Sequence, residues 1–160
     1  MGLNLSTLGS VHTLISLIAI ASGLFDLFRY GKITPQSSTG KFYYLTTIIT
    51  CFTSFGLSKL GGFNPGHAVA ILVLACLSVG WIFETKQMKL GKEIQTLALS
   101  FSFFLSLVPA TLEVLTRLPV DAPWAAGPQD PLVGGFISFW FVLFLVGSFL
   151  QLRKLRTLAN

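Results

Sequence analysis

Charge is scarce in this chain: Asp, Glu, Lys and Arg make up 11% of its 160 residues, against about 25% in an ordinary soluble domain. So few ionic groups exclude a disordered, self-repelling chain and cannot dress a water-soluble globule. Cysteine is almost absent too. Cys51 and Cys76 both sit inside apolar runs, too few for a disulfide scaffold, and read as small packing residues. Recognisable chemistry is also missing. There is no Gly-rich phosphate loop, CxxC, CxxCH, HExxH or Ser nucleophile elbow, so nothing argues for ATP use or covalent catalysis and the chain reads as non-enzymatic. Without internal repeats or room for a soluble domain, residues 1–160 read as one membrane domain.

Apolar residues fill the space: 52% of the chain is hydrophobic, and fifteen Phe face six acids. The mean hydropathy is +0.74. These values describe a chain solvated by lipid. A bilayer core of about 30 Å needs about 20 apolar helical residues. Five such runs occur, at residues 8–28, 42–58, 66–84, 94–116 and 132–152. They predict an all-α integral membrane protein, a bundle of five transmembrane helices. The second run is short, with Lys41 and Lys59 placed to snorkel from its ends. The longest connection, 118–131, holds four prolines and is read as a surface loop with Trp124 at headgroup level.

Orientation follows from the basic residues. Arg29, Lys32, Lys41, Lys86, Lys89, Lys92, Arg153, Lys154 and Arg156 fall on one side, with only Lys59 and Arg117 on the other. The positive-inside rule then places the N-terminus outside and the C-terminus in the cytoplasm, in a multi-pass protein of the inner (plasma) membrane. The net charge of +5 is thereby read as topology rather than as a nucleic-acid surface. No Lys or Arg precedes the first run and no small-residue cleavage site follows it, so a removable signal peptide is not expected. The basic tail would anchor the last helix at an anionic leaflet.

Polar residues are costly in lipid and are expected to face the bundle interior. His12, Ser16, Ala19, Gly23 and Asp26 form one stripe on the first helix; Thr46, Thr50, Thr53 and Ser54 form one on the second; Gln95, Ser102, Ser106, Pro109 and Glu113 form one on the fourth. The fifth helix is smooth by comparison, so the first four are expected to form the bundle and the fifth to pack outside. His12, His67 and Glu113 all fall about one turn from the outer surface. Two imidazoles and a carboxylate are a ligand set for zinc or a non-haem metal, two imidazoles can clamp a haem iron, and a His–Glu pair can bind a quinone-like head. Ser16, Ser106, Arg117 and Asp26 would support that site. The plainer alternatives are interfacial histidines and an i, i+4 pair of Glu113 with Arg117. Asp26 is expected to pair with Arg29 or Lys32, and Glu84 with Lys86. Pro109 should free a carbonyl near Leu105 that Ser106 helps satisfy.

The string VHTLISLIAIASGLFDLFRYGKITPQSSTGKFYYLTTIITCFTSFGL, followed by GGFNPGHAVAIL, resembles a family of small bacterial predicted membrane proteins of unknown function. The shared pattern is His12 opening the first span, Gly23 within it, Gly31–Lys32, Gly40 with Tyr43 or Tyr44 opening the second span, and Gly66–His67 opening the third. Many members carry a further His in the cytoplasmic loop, where this chain departs and reads TPQSSTG, so the resemblance does not extend to a second, inner-side metal or haem site. It implies the architecture and the choice of residues rather than an activity. Three functions are open: an outer-leaflet site for a metal ion, haem or quinone-like ligand; an accessory subunit packing through its fifth helix against other membrane subunits or a second copy; and a small transporter lined by Asp26, Gly23 and His12.

Overall fold

The computed structural model describes residues 6–57, 62–85 and 90–159, and among these it is all-helical. The helices are α1 (Thr7–Tyr30), α2 (Ser38–Ser54), α3 (Pro65–Thr85), α4 (Gly91–Arg117) and α5 (Pro131–Ala159). Four of them, α1, α3, α4 and α5, are long and apolar enough to cross a membrane. The molecule is a helical-bundle membrane protein, and lipid is the natural solvent of its outer surface.

Helix α2 has 17 residues and starts four positions earlier than the run at 42–58 implies. Hydropathy missed that start because polar residues make it. Ser37 is extended and its hydroxyl accepts from the Gly40 amide, capping an orphan donor of the first turn. Lys59 and Lys86 lie outside the described residues. Helix α4 continues through Pro109, but Ser106 does not serve the Leu105 carbonyl as expected. Its hydroxyl donates to the Ser102 carbonyl at 2.9 Å, a bond made one turn back along the helix.

Helices α1 and α2 form one antiparallel hairpin and α3 and α4 another; contacts of α2 with α3 and of α1 with α4 close them into a ring. Tyr43, Leu77, Leu99 and Phe103 lie at its centre. Helix α5 packs on α4 alone and stands outside the ring, as the sequence indicates. Its seam is not smooth, however. Phe101 and Phe104 of α4 meet Phe144 of α5 at ring-centroid distances of 5.4 and 5.7 Å. Trp140 Nε1 donates to Thr111 Oγ1 at 3.0 Å. In lipid, such packing and hydrogen bonds hold helices together, because apolar burial offers little between one hydrocarbon surface and another.

The 118–130 connection folds back onto α4, with the Ala125 amide donating to the Leu115 carbonyl at 2.9 Å. Asp130 caps α5: its carboxylate accepts from the Leu132 amide at 2.9 Å and the Ala126 amide at 3.0 Å. These two amides hold its pKa below the ordinary value. A depressed carboxyl keeps its tie at neutral pH and loses it only as pH falls through the lowered value. Trp124 is exposed at the loop tip.

Candidate functional site

The up-and-down path places the starts of α1 and α3 and the ends of α2 and α4 at one end of the bundle, the histidine end. His12 lies half-buried on α1, and its Nδ1 is 2.9 Å from Thr53 Oγ1 of α2. The Thr53 hydroxyl also reaches the Ile49 carbonyl of its own helix at 2.9 Å, so this contact is part of a chain of polar groups between the hairpin helices. His67 is buried near the start of α3. Its ring is flanked by Phe55 and Phe63, with centroids 5.4 and 5.7 Å away, and its Nε2 is 3.2 Å from the Asn64 amide nitrogen. Glu113 is exposed and its Oε2 pairs with Arg117 Nε at 2.5 Å, the i, i+4 contact.

Each of the three residues therefore has its own first partner. His12, near the start of α1, and Glu113, near the end of α4, lie at the same end of the bundle. Among the described residues no three His, Cys, Asp or Glu side chains gather into a group that could hold a metal ion. The supporting residues are distributed in the same way. Ser16 donates to the Thr13 carbonyl of its own helix at 2.8 Å, and Ser106 is bound to Ser102 as described.

The opposite end, the lysine end, holds the most enclosed ionisable side chain among the described residues. Asp26 has no exposed surface. The expected ion pair with Arg29 or Lys32 is not what holds it. Its Oδ2 accepts from the Thr34 amide at 2.8 Å, the Ser37 hydroxyl lies 3.1 Å from both oxygens, and the Thr39 hydroxyl donates to Oδ1. Arg29 instead lies over the Tyr30 ring. A buried carboxylate without a cation persists only when donors converge on it. Here they come from the TPQSSTG loop and the first turn of α2, so Asp26 ties the end of α1 to the start of its neighbour. The hydroxyl-rich 34–39 segment was the available signal, but hydropathy reads such residues only as a turn.

Close approach completes this clamp. A Cβ on Gly40 would lie 1.9 Å from the Thr34 carbonyl oxygen, a position only glycine leaves empty. Further along the α1 stripe, a Cβ on Gly23 would lie 2.8 Å from Phe103 and 2.9 Å from Tyr43. Tyr43 in turn bonds Ser102 through its hydroxyl at 2.7 Å. Neighbouring rings therefore fill the stripe between Asp26 and His12 at Gly23. Glu84, expected beside Lys86, accepts from Gln36 Nε2 at 2.7 Å and so ties α3 to the same loop.

These features define the class, a helical-bundle membrane protein with polar ties between elements at both ends. In comparisons with protein-family models, curated proteins and solved structures, nothing matches the chain.

The clamp makes a direct prediction. Asp26→Ala strands several buried donors and should cost about 3 kcal/mol or more, while Asp26→Asn, which keeps one acceptor oxygen, should cost roughly half as much. Gly40→Ala should cost about 1–3 kcal/mol because backbone must move. Thermal unfolding of the detergent-solubilised protein measures all three; an Asp26→Ala midpoint equal to the parent's would remove the clamp from the account of stability.

Proposed function

We propose that the protein is a non-enzymatic accessory subunit of a larger membrane complex, joined to a neighbouring transmembrane helix through α5. The observation that carries this reading is the placement of α5. The ring of α1 to α4 closes without it, and among the described helices α5 packs on α4 alone, reaching the rest of the ring only at Gly31 through Gln151 and Lys154. Its free side carries Phe136, Phe139, Val142, Val146 and Phe149, and nothing lies within 4 Å of a Cβ built on Gly134, Gly135 or Gly147. Small residues on an apolar helix face permit the close backbone approach on which helix association in lipid depends. In this reading α2, about 25 Å long at 1.5 Å per residue, crosses as the fifth span because α1 and α3 flank it. The basic residues place the N-terminus outside and the C-terminus in the cytoplasm of a bacterial-type inner membrane. A fluorescent protein fused to the C-terminus should therefore light up in intact cells, and a periplasm-dependent phosphatase at the same point should be inactive; the reverse pattern inverts the topology.

The open glycines give the subunit reading its test. Gly135→Leu, at an exposed position in register with Phe139, Val142, Val146 and Phe149, meets nothing within 4 Å at its Cβ and raises helix propensity, so it should leave the unfolding midpoint unchanged or higher. It should also abolish the hetero-complex recovered after gentle solubilisation. Recovery of only monomer or homodimer from the parent protein counts against the reading outright.

A second reading keeps His12, His67 and Glu113 as an outer-leaflet site for a metal ion, haem or a quinone-like head. Its support is that both histidines and Glu113 occupy one end of the bundle. Purified parent protein should then carry a metal, or a haem absorbance band, that the His12→Ala, His67→Ala double variant loses. Equal content in both proteins excludes a histidine-held metal or haem.

A further inference from the structure

Three lysines far apart in sequence meet at the lysine end. Lys32 follows Gly31 in the connection after α1, Lys92 lies in the first turn of α4, and Lys154 lies near the end of α5. Two hydrogen bonds lock these elements together. Gln151 of α5 accepts from Ser100 of α4 at 2.8 Å and donates to the Gly31 carbonyl at 2.9 Å. Lys154 stands one turn beyond Gln151 on the same helix face. The tie delivers its Nζ to within 3.8 Å of where a Gly31 side chain would begin. Lys92 sits about two turns before Ser100, roughly one turn further toward the lysine end than Lys154.

Lys32 is half-buried among these groups. Burial, with Lys92 and Lys154 alongside, pushes its ammonium below the ordinary lysine value. Cations assembled in this way repel one another. Among the described residues none of the three forms an ion pair; that contact is made by Arg117 with Glu113 at the opposite end, while at this end Asp26 is held by Thr34, Ser37 and Thr39 and Glu84 by Gln36. The fold thus brings three lysines from three elements to one end of the bundle, with no salt-bridge partner for them among the described residues. The last turns of α5 add a groove lined by Phe149, Leu152, Arg153 and Arg156, with apolar surface beside further cations.

We propose that Lys32, Lys92 and Lys154 form a binding site for a phosphate group, presented by the headgroup of an anionic phospholipid in the leaflet at this end. The phosphodiester supplies the missing negative charge, and its acyl chains lie along the exposed apolar face of α5. Polybasic clusters at a membrane surface attract such lipids generally. What distinguishes this site is that the Gln151 tie fixes three particular lysines, so binding depends on those positions rather than on total charge.

The experiment compares full-length protein in nanodiscs of phosphatidylcholine with and without phosphatidylglycerol, and in phosphatidylcholine with inorganic phosphate. Phosphatidylglycerol should raise the melting midpoint by roughly 5 °C, as a ligand of the folded state does. Lys154→Gln and Lys92→Gln should each abolish that rise, while Lys41→Gln, exposed at the same end, should keep it. Lys154→Gln should also melt no lower than the parent in phosphatidylcholine alone, because it relieves repulsion; a lower midpoint there, with the lipid response intact, would mark a packing role and overturn the proposal. A lysine-dependent rise with inorganic phosphate keeps the site and makes free phosphate its source. An equal rise in parent and Lys154→Gln, or no rise with either probe, would falsify it.

Discussion

A carboxylate taken out of water loses solvation that only converging donors can replace, and Asp26 is the place where this molecule meets that constraint. The Thr34 amide and the Ser37 and Thr39 hydroxyls meet its oxygens, and the Ser37 oxygen caps the first turn of α2. The start of α2 follows from that arrangement. Through Gln36 and Glu84 the same loop reaches α3, and through the Gly31 carbonyl it receives Gln151 of α5. A bundle in lipid has little apolar driving force between its helices, so these ties and close contacts such as that of Gly23 with Phe103 set how the helices sit.

The two ends of the bundle are built differently. At the lysine end, polar groups are enclosed and bound across elements, and three cations converge on one place. At the histidine end, His12 is half-buried against Thr53, His67 is packed between aromatic rings, and Glu113 stands exposed with Arg117. Rarity drew attention to the histidines, since an imidazole in a span is unusual. Convergence points elsewhere: at the lysine end side chains from separate elements come together, and its lysines make no salt bridge among the described residues.

Helix α5 links these observations to function. It is held to the ring by Phe stacking, by Trp140 with Thr111 and by Gln151, yet most of its surface faces outward. A helix anchored on one side and apolar on the other contacts either lipid or another helix. The open glycines favour a helix there, while the basic turns at its end favour an anionic headgroup. Both are compatible, because they occupy different lengths of the same element.

Much of the architecture was legible in the sequence, because hydropathy and helical period are local properties. A run of about 20 apolar residues is helical in lipid whatever its neighbours, since the backbone has no other donors and acceptors there. The helices, the outside position of α5 and the Glu113–Arg117 pair could be read that way, the last because i, i+4 neighbours on a helix meet regardless of the rest. What only the tertiary structure decided was the partner each polar residue takes. Asp26 passes over the nearby Arg29 for donors 8 to 13 residues away, Tyr43 finds Ser102 at a separation of 59, and Gln151 finds Gly31 at 120. Such choices depend on which helices are adjacent and how closely a glycine lets them approach. No local pattern carries that information, so the sequence named the polar residues while the packing assigned their work.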